Sequence, residues 1–164
     1  MPYFDEIVND DTNEEGWTPL LWAASQSTKH DLEVITYLAN RGAHLLKPKK
    51  ADGMTPIHFA AAQNDIHLID FICEQLGDDA KSATNVRNNE GWTPTHLAAF
   101  LGNFDSMNLL LENGADLTKP NDSGMSPYEE IIRSDHADLL ECVYPLMKHV
   151  KRDMKKVSSL FYKT

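Results

Sequence analysis

Apolar residues cluster along this chain in a repeating order. Four short runs come first in each cycle: Leu20-Leu21-Trp22-Ala23-Ala24, Ile57-His58-Phe59-Ala60-Ala61, Thr95-His96-Leu97-Ala98-Ala99 and Tyr128-Glu129-Glu130-Ile131-Ile132. A polar break follows each, and then a second apolar segment: Leu32–Leu38, Ile66–Leu76, Phe104–Leu111 and Ala137–Tyr144. In the second segments Leu, Ile, Val and Met recur at i, i+3 and i+4, the spacing of one helical face. The pattern predicts four pairs of helices.

Each short run is introduced in the same way. Gly16-Trp17-Thr18-Pro19, Gly53-Met54-Thr55-Pro56, Gly91-Trp92-Thr93-Pro94 and Gly124-Met125-Ser126-Pro127 stand 37, 38 and 33 residues apart. Proline fits the first turn of a helix, where its missing N–H costs nothing. The Thr or Ser before it is placed to cap that helix. The glycine supplies a turn conformation closed to other residues. Paired alanines let the first helix approach its neighbours. The second helices run into Gly42, Gly77 and Gly114, where left-handed C-caps are expected. Two helices this short cannot bury their apolar faces alone, and a stack of several can.

These motifs resemble the ankyrin repeat. The family's T-P-L-H-x-A-A signature is matched by Thr55-Pro56-Ile57-His58-Phe59-Ala60-Ala61 and by Thr93-Pro94-Thr95-His96-Leu97-Ala98-Ala99, and its G-A-D ending by Gly114-Ala115-Asp116. The resemblance covers residues 14–145, with units starting near 14, 51, 89 and 122. It implies an all-α solenoid of about four helix-turn-helix repeats with projecting hairpin fingers. A lead-in over 1–13 precedes it, and a basic amphipathic C-terminal helix over 146–164 follows. The first unit carries Leu21 and the last Glu129 where the signature has histidine, as befits end units. Extra residues lie around Ser25–His30 and Gly77–Thr84. The second insertion reads as a loop holding the adjacent carboxylates Asp78 and Asp79. Asn64 stands for the inter-helix glycine and is a tolerable left-handed substitute.

Composition narrows the function classes. Hydrophobic residues make up 41% of the 164 and charged residues 24%, which suits a folded domain. No apolar run approaches the ~20 residues that span a bilayer. Met1–Asp11 has neither the basic region nor the apolar region of a secretory signal. Two cysteines are too few for a disulfide framework or a cysteine-rich zinc site. A reducing compartment, cytoplasmic or nuclear, fits best. The net charge is −10, split unevenly: residues 146–164 carry +5 and residues 1–145 carry −15. So acidic a body repels nucleic-acid phosphate.

No catalytic or cofactor-binding motif emerges. His58 and His96 sit at equivalent repeat positions, and the resemblance implies that they tie neighbouring turns together by hydrogen bonds. The remaining histidines have no metal-ligand spacing. Asp11-Thr12-Asn13-Glu14-Glu15-Gly16 opens like a calcium loop, but Trp22 occupies the position that needs a bidentate Glu. The chain has no GxSxG and no phosphate loop. It reads as a non-catalytic protein-binding module, an adaptor or a subunit of a larger assembly, without a cofactor. The competing class is a permanently incorporated part of a cytoskeletal or axonemal complex. An enzyme inhibitor or regulator stands behind both.

Two regions carry candidate binding residues. The resemblance places the residue between Gly and Thr-Pro on the finger, where Trp17, Met54, Trp92 and Met125 stand; these touch a partner or pack against the next finger. Glu15, Asp52, Glu90 and Asp122 lie beside them, and Phe100 and Leu101 occupy a normally polar stretch of the groove. Such a surface suits a protein segment with apolar anchors and Lys or Arg nearby. In the tail, Met147, Val150, Met154, Val157 and Phe161 form one seam, with Lys151, Arg152, Lys155 and Lys156 beside it. The tail either caps the last repeat or docks on an acidic partner, and Pro145 is expected to kink or restart the helix before it.

Overall fold

A computed structural model describes residues 7–26 and 32–147. Four helix pairs follow one another: α1 (Pro19–Ser25) with α2 (Leu32–Asn40), α3 (Pro56–Gln63) with α4 (Ile66–Leu76), α6 (Pro94–Leu101) with α7 (Phe104–Glu112), and α8 (Pro127–Arg133) with α9 (Ala137–Met147). A 3-10 turn over Gly77–Asp79 and the short helix α5 (Ala80–Thr84) lie between the second and third pairs. Among the described residues there is no strand.

The introducing motif sets each first helix. Thr18, Thr55, Thr93 and Ser126 are extended at the cap, and the proline after each opens the helix. The Thr18 hydroxyl accepts from the Leu21 N–H at 3.1 Å, and the Ser126 hydroxyl from the Glu129 N–H at 3.3 Å. First helices stack on one another in chain order, and α4 lies against α7. The stack is close because its contact faces are alanine: Ala60, Ala61, Ala98 and Ala99 are fully buried. Together with Leu20, Ile35, Ile57, Leu68, Ile69, Ile72, Met107, Leu110, Ile131 and Val143 they form one continuous core.

Polar side chains finish the helix ends from one repeat to the next. Gln63 donates to the Ala24 and Ser25 carbonyls, Asn103 to those of Ala61 and Ala62, and His136 Nε2 bonds the Phe100 carbonyl. Carbonyls at a helix C-terminus have no partner within the helix, so these bonds join the repeats where water would otherwise be needed. Asn64 adopts φ 55°, as its glycine-like position requires, and its side chain accepts from the Ser106 N–H. The lead-in is tied down. Asn9 brackets the Gly42 carbonyl and the His44 N–H, and Asp11 pairs with Lys47 at 3.0 Å and Lys50 at 3.1 Å.

Three expectations change. Gly77 does not end its segment with a left-handed cap. Its φ of 52° is combined with ψ −117°, and the chain turns into the 3-10 turn and α5. The insertion is therefore helical and not a loop; Ala80, Ala83 and Thr84 are buried beneath it, while Asp78 and Asp79 face solvent. Helix α9 runs through Pro145 to Met147, so no break falls at 145. The tail residues Lys151, Arg152, Lys155 and Lys156 lie outside the described residues.

Candidate functional site

Each finger is a tight hairpin. In the second, third and fourth, the residue before Thr or Ser offers its carbonyl to a backbone N–H across the turn: Met54 to Lys49, Trp92 to Asn88 and Met125 to Asn121, at 2.8–2.9 Å. In the first, Asn13 brackets the N–H and carbonyl of Trp17 with its side chain. Adjacent fingers are joined edge to edge. The Ala51 N–H donates to the Glu15 carbonyl, Asn89 to Asp52 and Asp122 to Glu90, at 2.9–3.1 Å. The fingers thus form a continuous wall, with the first helices running away from its base.

Where wall meets helices, aromatic rings gather. The Trp17 ring stacks on Phe59 at 5.7 Å and meets the edge of Trp22 at 5.6 Å. The Lys49 ammonium lies 4.2 Å from the Trp17 ring centroid and pairs with Asp52 at 2.7 Å. Farther along, Trp92 packs edge-on against Phe100 at 5.7 Å and beside His96 at 5.8 Å. The Arg133 guanidinium lies 5.8 Å from the Phe100 ring and bonds the buried carboxylate of Glu130. Trp22 is 57% exposed, Phe100 43% and Leu101 46%, so each cluster turns large apolar surface outward.

The residues singled out by sequence sort into groups. Trp17 and Trp92 are half-buried and anchor the two clusters. Phe100 and Leu101 are exposed on α6, and Met54 and Met125 are half-buried between fingers. Glu15 is exposed and accepts from Trp17 Nε1 at 2.6 Å, and Glu90 is exposed at its fingertip. Asp52 and Asp122 are committed within the chain, to Lys49 and to Arg87 at 2.6 Å. Sequence reasoning passed over Trp22, Phe59, Lys49, Glu130 and Arg133. A register signal was present: Trp22 and Phe59 each stand four residues after the capping Thr, one helical turn into the first helix. Lys49 and Arg87 each stand six residues before it.

The histidines of the signature lie beneath this surface. His58 Nδ1 accepts from the Thr55 N–H and faces the Thr55 hydroxyl at 2.8 Å, so Nε2 carries the proton and donates to the Trp92 carbonyl at 3.0 Å. His96 repeats the arrangement with Thr93 and the Met125 carbonyl. Burial pushes the His58 pKa down to about 4 and lowers that of His96. Both rings are neutral braces between fingers. Among the described residues, no group of three His, Cys, Asp or Glu comes together as a metal-ligand set. None of their helices is long and apolar enough to cross a membrane.

The ankyrin-repeat family pattern, in three copies, matches residues 29–121, more than half of the chain. This protein belongs to the ankyrin repeat family. Ankyrin repeats mediate protein–protein interaction, and the family spans very different proteins. The chain is 37% identical over 85 residues to the 26S proteasome non-ATPase regulatory subunit 10 of Dictyostelium discoideum, covering 52% of this chain and 34% of that one. It is 37% identical over 76 residues to the ANK repeat-containing protein nipk-1 of Caenorhabditis elegans, covering 44% of this chain and 12% of the relative. To the alpha-latrocrustotoxin-Lt1a of Latrodectus tredecimguttatus it is 27% identical over 122 residues, 74% of this chain and 8% of the toxin. The chain spans about a third or less of each relative's length.

Proposed function

We propose that this ankyrin repeat protein is a non-catalytic binding module that holds a partner protein along the corner between its fingers and first helices. The observation that carries this is the pair of outward-facing aromatic clusters, Trp17–Trp22–Phe59 and Trp92–Phe100, on one continuous wall. Aromatic side chains offer large contact area for little loss of freedom and dominate binding energy at interfaces. The partner segment carries apolar anchors for the clusters and Lys or Arg for Glu15 and Glu90, which point outward at two fingertips. Asp52 and Asp122 contribute less, because each is already paired with a cation of this chain.

The module works as an adaptor or a subunit of a larger assembly, in a reducing compartment of the cytoplasm or nucleus. The buried free thiol of Cys73 and a relative that is by name a proteasome regulatory subunit support this reading. Permanent incorporation into a structural complex is the second reading, and apolar exposure on another side of the molecule, at Val34 and Tyr37, favours it. The deciding experiment is co-purification of the native protein at moderate salt, identification of what elutes with it, and titration of that partner against the Trp22→Ala and Phe100→Ala variants. Each is expected to weaken binding by ~1 kcal/mol or more. Full-strength binding to both variants overturns the assignment of this face.

A further inference from the structure

The four second helices share one register, and equivalent positions differ in exposure at only one end of the stack. The third residue of each is Val34 in α2, Leu68 in α4, Ser106 in α7 and Leu139 in α9. Leu68, Ser106 and Leu139 are 0%, 0% and 1% exposed, while Val34 is 51% exposed. The first helices follow suit. Pro56, Pro94 and Pro127 are buried where Pro19 is exposed, and Ala60, Ala98 and Ile131 are buried where Ala23 is partly open. Tyr37, 54% exposed, widens the open area beside Val34, and Ile7 is 57% exposed.

In the interior these positions meet the helix pair that comes before. The backbone N–H of Ser106 is held by Asn64, at the turn between α3 and α4. No helix pair precedes α1 and α2 among the described residues. Val8 enters the core and Asn9 brackets residues 42 and 44, yet neither closes Val34 or Tyr37. The other end of the stack is finished differently: α9 exposes Ala137, Asp138 and Glu141. Solenoids need a polar outer face on their terminal units. The α9 end has polar residues there, and the α1–α2 end has aliphatic and aromatic ones.

We infer that the α1–α2 end is a docking surface for a helix pair of another protein, which stacks end-on and continues the solenoid by one unit. Continuity with the interface that this molecule already makes three times identifies the occupant. The open positions are those that take the apolar side of a neighbouring helix pair at every interior joint. The partner therefore presents small and aliphatic residues across two antiparallel helices. A second copy of this chain is disfavoured by charge. Residues 1–145 carry −15, so two bodies meeting at their open ends repel, and a head-to-tail copy would set Asp138 and Glu141 near Val34. The partner's rim is neutral or basic. This surface is separate from the finger wall and does not depend on the function proposed for it.

The probe is a designed ankyrin stack whose last helix pair ends in an open aliphatic face rimmed with lysine; its control carries a polar last face. Both are titrated calorimetrically into the full chain and into the double variant Val34→Lys/Tyr37→Lys. The open-faced probe is expected to bind the native chain, the polar-ended control is not, and the double variant is expected to lose at least tenfold in affinity. Its thermal midpoint should not move, because both side chains are exposed. Failure of the open-faced probe to bind, equal binding of the two probes, or undiminished binding to the double variant overturns the inference. So does a fall in the variant's midpoint, which would show the face covered within the chain. Native dimers in sedimentation that the double variant abolishes would make a second copy the occupant and overturn it as well. Val34→Ser/Tyr37→Ser repeats the test without added charge.

Discussion

From the second finger to the third, and from the third to the fourth, a buried histidine spans the joint: His58 reaches the Trp92 carbonyl and His96 the Met125 carbonyl. From the first finger to the second there is no histidine, because Leu21 stands in its place. That joint is held from the other side of the wall, by the Trp17 ring stacked on Phe59 and the Lys49 ammonium over Trp17. The interior joints use a neutral hydrogen-bonded brace in a dry environment, and the first joint uses a half-exposed aromatic stack and a cation. The two constructions should respond differently to pH, to loss of a ring and to binding of a partner, and the first joint shares its residues with the proposed binding surface.

The largest effect should come from the close approach that all joints share except at the last finger. A Cβ on Gly53 would lie 2.6 Å from Asn89 Oδ1 and 2.8 Å from the Asn89 N, whereas one on Gly124 would meet nothing within 4 Å. Both glycines have positive φ, +75° and +79°. Gly124→Ala should cost about 1–2 kcal/mol from backbone strain alone. Gly53→Ala adds a collision with the next finger and should cost roughly 3 kcal/mol or more. Urea unfolding of the two variants checks this. Equal costs would mean that the fingers are less tightly joined than their edge bonds indicate.

Next come the histidine braces. His58→Ala should cost on the order of 1–3 kcal/mol, because it leaves the Trp92 carbonyl and the Thr55 N–H without their partner. The pH dependence has a definite direction. The folded-state pKa of His58 is lowered to about 4, below the usual 6.5, so its neutral form is favoured by folding. Its contribution is fully present above pH 6.5 and is lost as pH falls from there through about 4, by on the order of 3 kcal/mol in all. His96 acts in the same direction. Protonation would place a hydrogen on Nδ1, where the Thr N–H already points. Midpoints measured at pH 7, 5.5 and 4 should fall steeply in the native protein and less in His58→Ala. A variant that follows the native curve at every pH would show that other groups govern acid unfolding.

The first joint should be more tolerant, and its two tryptophans should separate. Trp17→Ala removes the stack on Phe59 and the ring under Lys49 and should cost about 2 kcal/mol of stability. Trp22, 57% exposed, should cost under ~0.5 kcal/mol when truncated while still weakening partner binding. Thermal midpoints of the two variants make the check. A large loss for Trp22→Ala would mark it as a packing residue of the joint.

How far the sequence could be read follows from which interactions are local. The Gly-x-Thr-Pro turn, the capping Thr and the i, i+3, i+4 seam of each second helix depend on residues within about a dozen positions, and they were legible. The brace role of His58 and His96 followed from their place in the repeat. The Trp17–Phe59 stack, the Lys49 cation over Trp17 and the Arg133 guanidinium near Phe100 join residues some thirty or more positions apart. Their meeting depends on how the repeats stack, which no local pattern encodes. At Gly77 the expectation of a chain stop failed because Ala80, Ala83 and Thr84 beyond it have somewhere to be buried, and that also is a property of the stack. The openness of Val34 was equally hidden, since its helix has the same seam as the interior ones.

The smallest effect concerns a residue in the third unit that departs from the family signature. Thr95 occupies the position that the signature gives to leucine, filled by Leu20 and Ile57 in the first two units. It is fully buried, and its hydroxyl makes no hydrogen bond. A buried hydroxyl without a partner forfeits its hydration and gains nothing in return. Thr95→Val keeps the β-branched shape, removes the polar atom and should stabilise the protein by up to ~1 kcal/mol. Because Thr95 sits one position before His96, the gain should fall on the brace between the third and fourth fingers and leave the first joint untouched. Combined with Trp17→Ala it should therefore be additive, and combined with His96→Ala it should not. A double-mutant cycle on urea midpoints reads this directly. A destabilised Thr95→Val would mean that the hydroxyl has a partner at this position, and additivity with His96→Ala would mean that the two residues act on separate parts of the stack.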